Sequence, residues 1–149
     1  MVSALINAGQ AQAGLGNSAD AETLYKRALA ADPNSAAAAN QMGELYAAGH
    51  QDDAAKIWYQ RAITARRDYQ PAIGNLAALY VRAGQPNDAV AALRYGIDAS
   101  PDETSFYLNL ASLYVKTGSP DKARQTITIL LTRQPANSAA LQALRELER

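Results

Sequence analysis

The sequence predicts an all-α protein assembled from repeated helix-turn-helix units, and three observations carry that prediction. A pattern of large, small, aromatic and glycine residues in Asn75-Leu76-Ala77-Ala78-Leu79-Tyr80-Val81-Arg82-Ala83-Gly84 returns 34 residues earlier, from Gln41 to His50, and 34 later, from Asn109 to Gly118. Within each unit, apolar residues recur at spacings of three and four, the period of one helical face. Proline and glycine clusters interrupt the periodic stretches at regular places, as helix-to-helix turns require. A fixed period of this length decides the architecture before any single motif does.

Taken in order, residues 2–15 form a first helix with Leu5, Ala8, Gly9 and Gln12 on its inner side and no capping side chain ahead of Val2. That uncapped start points to a preceding continuation of the chain. After Gly14-Leu15-Gly16-Asn17, a second helix runs from Ser18 to Ala31 with Ala21, Leu24, Tyr25, Ala28 and Leu29 on one face. Asp32-Pro33 stops it, because proline lacks the amide donor and pushes its predecessor out of the α region, and Asn34-Ser35 caps the next helix.

The second unit repeats the plan with helices 36–48 and 52–65, joined at Gly49-His50-Gln51, and an inner face of Ala39, Met42, Gly43, Tyr46, Ala55, Tyr59, Ala62 and Ile63. Its exit lacks the proline of the others, so Asp68 is the expected cap, with Pro71 tolerated in the following first turn. The third unit has helices 70–83 and 86–99, with Ile73, Leu76, Ala77, Tyr80, Ala89, Leu93, Gly96 and Ile97 inward. The fourth turns Tyr107, Leu110, Ala111, Tyr114, Ala123, Ile127, Leu130 and Leu131 inward. Pro86 and Pro120 sit where a first helical turn needs no amide donor, so they start helices. A last helix, 137–148, carries Leu141, Leu144 and Leu147 but has Arg145 and Glu148 where earlier units have a small residue and a tyrosine. Arginine there blocks a second helix, so this piece reads as a solvated cap and a native C-terminal boundary.

Composition narrows the functional classes. The 149 residues contain 14 Lys+Arg against 14 Asp+Glu, so the formal net charge is zero and the basic footprint of a nucleic-acid binder is missing. There is no cysteine, which removes disulfides and thiolate metal sites but leaves cytoplasm and periplasm equally open. The N-terminus has no basic start or continuous apolar run, so no signal peptide is read, and no window approaches a membrane span, so direct membrane insertion is not expected.

Met42-Gly43, Tyr46, Gly49, Ala55, Tyr59 and Ala62, with Pro33, Pro101 and Pro135 closing units, resemble the tetratricopeptide repeat. Four repeats, 2–35, 36–69, 70–103 and 104–137, plus the cap at 137–148 cover the chain as a single domain. The departures are Ala8 and Gln12 in the first repeat, Arg67 in place of a closing proline in the second, Gly96 in the third and Leu130 in the fourth. The resemblance implies a right-handed α-solenoid whose stacked pairs share one core, with the first helix of each pair lining a concave wall.

Function is therefore sought on the outward positions of those first helices. One column, Asn7, Gln41, Asn75 and Asn109, offers a row of side-chain amides to a peptide backbone. Flanking columns add Ile6, Asn40 and Leu108, then Ser112, then Val81 and Val115, then Arg82 and Lys116. The expected peptide-binding groove comprises Asn7, Asn40, Gln41, Asn75, Val81, Arg82, Leu108, Asn109, Ser112 and Lys116, with Ile6 and Val115 as further apolar contacts. Removing the amides of Asn75 and Asn109 together is expected to weaken partner capture without changing the melting point. The acidic-terminus clamp of chaperone-type members of the family is read as absent, since only Asn7, Arg82 and Lys116 suggest it.

Other features carry blander readings. Trp58 beside Tyr59 fills a gap between helices more readily than it anchors a partner. His50 is a solvated turn residue, and Arg66-Arg67 complement a helix end. No nucleophile with a base, carboxylate pair, metal constellation or phosphate loop is found, so no catalysis and no cofactor are expected. The sequence reads as a non-catalytic module that binds a protein or peptide segment, not nucleic acid. The alternative is a structural spacer or a scaffold self-associating through repeat ends, within a larger multidomain bacterial envelope, secretion or polysaccharide-export protein.

Overall fold

The computed structural model describes residues 1–149, all helical with short turns. In order the helices are α1 (Val2–Gly14), α2 (Ser18–Ala31), α3 (Ala36–Ala48), α4 (Asp52–Ala65), α5 (Gln70–Arg82), α6 (Pro86–Ala99), α7 (Thr104–Lys116), α8 (Pro120–Arg133) and α9 (Ser138–Leu147). The first eight alternate between 13 and 14 residues, the spatial counterpart of the sequence period. No helix is long and apolar enough to cross a membrane.

The turn inside each helix pair is one motif repeated. The amides of Asn17, Gln51, Gln85 and Ser119 donate to the carbonyls of Gln12, Tyr46, Tyr80 and Tyr114 at 2.7–2.9 Å. These are the long-range closures of a Schellman turn, which needs one left-handed residue just past the helix. Gly16, Gly84 and Gly118 supply it with φ of 83°, 69° and 75°, but the second pair uses His50 at φ 57°. The sequence reading placed the turn glycine of that pair at Gly49, whose φ is −82°; the left-handed position falls one residue later.

Between pairs, the cap positions differ. Ser35 accepts from the Ala38 amide and Asn137 from the Ala140 amide, as capping residues do. Asp68 does not sit at the expected cap position. The turn closed by the Tyr69 amide on the Arg66 carbonyl places Tyr69 directly ahead of α5, and Asp68 instead lies 3.8 Å from the Arg66 guanidinium. The Arg66 guanidinium also stacks 4.4 Å from the Tyr69 ring. Pro86 and Pro120 open α6 and α8 from the first turn, as their missing donors allow.

Two compact units divide within α5, Met1–Leu79 and Tyr80–Arg149. The core of the first includes Ala21, Tyr25, Ala28, Ala39, Met42, Ala55, Tyr59, Ala62 and Ile73, each buried, matching the inward faces expected of its helices. In the second, Tyr107, Ala111, Ala123, Ile127, Leu130 and Ala140 form one cluster, with Leu144 and Leu147 of α9 packed against it. The face of α1 is rotated from expectation: Ile6 and Gly9 are buried and Ala8 is exposed. The expected inner faces also omitted Ala38, Ala72 and Phe106, and Leu79 and Leu113, all buried. A first helix in a stack is covered on two sides, so its buried arc is wider than one amphipathic stripe.

Small residues meet large ones sixteen positions later. A Cβ on Gly9 would lie 2.4 Å from the Tyr25 ring, and one on Gly43 would lie 2.5 Å from the Tyr59 ring. Ala111, in the position equivalent to Gly43, shares its cluster with Ile127, equivalent to Tyr59. The pairing is a volume match: glycine where the second helix brings a ring, alanine where it brings a branched aliphatic side chain.

Candidate functional site

In the Met1–Leu79 unit the outward face of α3 is occupied by its own side chains. The Glu44 carboxylate accepts from Asn40 Nδ2 at 2.8 Å, Asn75 Nδ2 at 3.0 Å and Gln41 Nε2 at 3.0 Å. Asn75 Nδ2 also donates to Asn40 Oδ1 at 3.1 Å, and the Tyr25 hydroxyl donates to Gln41 Oε1 at 3.3 Å. A carboxylate only accepts, so each amide facing Glu44 must present its NH2 group. Burial first, and then the Glu44 charge, hold the Tyr25 hydroxyl above the usual phenol range.

This arrangement corrects one expected groove residue outright. Asn40 is 1% exposed and, like the buried Ile6 at the same repeat position, is closed off from solvent. One residue of helical rotation, about 100°, separates a groove position from a helix–helix contact, and Asn40 is met there by Asn75 of α5. Gln41 and Asn75 are half-buried and committed to the network, while Asn7 is exposed on α1.

The Tyr80–Arg149 unit has an open cleft at the equivalent place. It lies between α7 and α9, encloses about 550 Å³, and is walled by Leu108, Ser112, Val115 and Lys116 from α7 and by Ala139, Gln142, Ala143, Glu146 and Leu147 from α9, with Ala111 between them. The reason it is open follows from the columns. Where Asn40, Glu44 and Asn75 fill the space in one unit, the residues at the same repeat positions are Leu108, Ser112 and Ala143. A methyl replaces the bridging amide and a hydroxyl replaces the carboxylate, leaving an apolar hollow with a serine and opposite charges, Lys116 and Glu146, in its walls.

Of the expected residues, the structure thus brings Leu108, Ser112 and Lys116 into one cleft, together with Val115, which is 47% exposed. Asn109 is exposed on α7 but does not line it. Val81 and Arg82 are exposed at the end of α5. The α9 wall was missed because that helix reads as a solvated cap; the signal was present in Ala139 and Ala143, small residues on the side facing α7. Glu44 was passed over among the mixed residues of its column.

Trp58 is half-buried, with the Arg61 guanidinium 5.1 Å from its ring, and Arg61 donates to the Pro33 carbonyl at 3.2 Å. These contacts fit gap-filling between elements. His50 is exposed in its turn.

Two family models, both described as tetratricopeptide repeat, match residues 80–147 and 6–71. No curated protein matches the sequence. Among solved structures, similarity extends to a tetratricopeptide repeat protein from Parabacteroides merdae at TM-score 0.78 and 19% identity, covering 99% of this chain and 59% of that one. It extends also to the MamA protein, at TM-score 0.72 and 20% identity over 98% of this chain and 80% of that one. A third is the first tetratricopeptide domain of Spaghetti (RPAP3) bound to the HSP90 peptide SRMEEVD, at TM-score 0.69 and 16% identity over 79% of this chain and 96% of that one. At these identities the likeness is one of fold.

Proposed function

Because this chain belongs to the tetratricopeptide repeat family, we propose that it is a non-catalytic module that holds a short segment of a partner protein in the cleft between α7 and α9. Members of this family generally serve as interaction scaffolds, and a similar fold holds a peptide in one solved structure. The observation that carries the reading is the hollow left where Leu108, Ser112 and Ala143 stand in for the bonded trio Asn40, Glu44 and Asn75. Leu108, Val115 and Leu147 give a side chain of the ligand an apolar seat, Ser112 and Gln142 offer hydrogen bonds, and Lys116 and Glu146 orient its backbone or charged groups. Asn109 stands on α7 and is exposed, as are Asn7, Val81 and Arg82, none of which lines the cleft.

The test is to pan a library of random short peptides against the protein and against two cleft variants. Ala139→Leu fills the hollow and Val115→Asp places a charge in it, both at exposed positions, so the helical spectrum should be retained. Peptides selected on the native protein should lose at least about tenfold in affinity for either variant, roughly 1.4 kcal/mol. Equal binding by all three would remove the cleft from the mechanism. Failure to select any peptide, with a mass that rises with concentration in light scattering, would favour the self-associating scaffold instead.

A further inference from the structure

The amide network around Glu44 is left unused by the cleft reading. The surface carboxylates of Glu22, Asp102 and Asp121 are held by Lys26, Arg133 and Arg124 at 2.8–2.9 Å, so their charges are met by cations. Glu44 is held as firmly but by three neutral amides, which fix its direction without neutralising it. Its residue is exposed, so the charge lies at the surface.

The orientation of the surrounding amides adds to this. Both NH2 hydrogens of Asn75 are committed, to Asn40 and to Glu44, so the group Asn75 can still offer a ligand is its carbonyl oxygen. The Gln41 amide donates to Glu44 and its oxygen accepts from Tyr25. What the cluster presents outward is therefore acceptor-rich and negatively charged. A group that answers it must be a donor with several N–H bonds and a positive charge, and a lysine ammonium or an arginine guanidinium has that chemistry. An acidic or purely apolar group would leave the carboxylate unpaired and desolvated, at a cost.

We propose that Glu44, braced by Asn40, Gln41 and Asn75, is a binding site for a lysine or arginine side chain of a partner segment. The site is built, because three donors preorganise the carboxylate and the bound cation would not have to order it. The Glu44 charge also reaches its surroundings: it raises the Tyr69 hydroxyl, after burial and against the opposing effect of Arg66, and it adds to the burial that raises Tyr25. This assignment rests on the reading that the chain binds peptide segments, but not on the cleft between α7 and α9.

The experiment uses the full chain and peptides from the random library. Peptides selected on the native protein should be enriched in lysine or arginine at one register position. A thermodynamic cycle then pairs Glu44→Gln with replacement of that basic residue by norleucine. Each single change should lower affinity by about tenfold, as expected for hydrogen bonds to a charged group. The second change should add little once the first is made. Glu44→Lys should recover binding to a peptide carrying glutamate at the same position, a rescue that a purely structural role for Glu44 would not give. Selected peptides without basic enrichment, or two changes whose effects simply add, would overturn the site while leaving peptide binding intact. If no peptide is selected at all, the binding reading fails and this assignment fails with it.

Discussion

Replacing Gly43 by alanine should destabilise the protein although alanine is the better helix former. The added Cβ would stand 2.5 Å from Cδ1 and Cε1 of Tyr59 and 3.1 Å from Cζ. Packed carbons sit at about 3.5–4.0 Å, so the ring must retreat by roughly 1 Å. Tyr59 is 3% exposed and has nowhere to go. Overpacking of this kind costs about 1–3 kcal/mol, and the contact distance argues for the upper half of that range. The helix-propensity gain returns about 1 kcal/mol, leaving a net loss of about 1–2 kcal/mol. Tyr59→Ile alone opens a cavity under Gly43 and should cost about 2–4 kcal/mol. The double change recreates the alanine and isoleucine that share a core cluster at Ala111 and Ile127, so it should be more stable than the sum of the single changes predicts by about 1–2 kcal/mol. Urea unfolding followed by circular dichroism, at unchanged slope, reads each value, and the melting point should fall by about 3 °C per kcal/mol. A Gly43→Ala protein as stable as the native one, or two changes that add without coupling, would refute the volume match.

His50→Gly should stabilise the protein by about 0.5–1 kcal/mol in the same assay, because it relieves a left-handed conformation costing an L-residue about 1–2 kcal/mol while restoring some unfolded-state entropy. Asn75→Ala should cost about 1–2 kcal/mol by taking a donor from the buried Asn40 oxygen, whereas Asn109→Ala should stay within about 0.5 kcal/mol; chemical denaturation of the two single variants distinguishes them. This revises the expectation that both amides could be removed with no change in stability. The Glu22 carboxyl is pulled below its ordinary range by hydrogen bonds from Lys26 and then Tyr46. A depressed carboxylate stabilises the fold above its unfolded pKa, near 4.5, and loses that contribution as pH falls through the lower folded value. Glu22→Gln should therefore cost no more than about 0.5 kcal/mol at neutral pH, after solvent screening. The difference from the native protein should close progressively below about pH 4.5; a difference that stays constant through that range would refute the assignment.

Helix positions were legible because they depend on local rules. Proline at Pro86 and Pro120 opens helices wherever the first turn needs no donor, and the 34-residue recurrence of small and large residues fixes which faces pair. Local rules failed where a turn had to be counted to the residue. Tyr69 took the position expected of Asp68, and the left-handed turn residue was His50 and not Gly49. The outward face of the first helices was legible only as a set of columns. A column says which residues share a side of a helix, but the 100° step between adjacent residues decides whether that side meets solvent or another helix.

By itself, then, the sequence determined the all-α repeat plan, the family and most of the inward residues of each pair. Only the tertiary structure decided what each outward residue does, because that depends on what the neighbouring helix brings opposite it. Opposite Asn40 stands Asn75, so the space closes into a network around Glu44. Between α7 and α9, where Ala143 holds the position of Asn75, no amide reaches across, and the cleft walled by Leu108, Ser112 and Lys116 stays open.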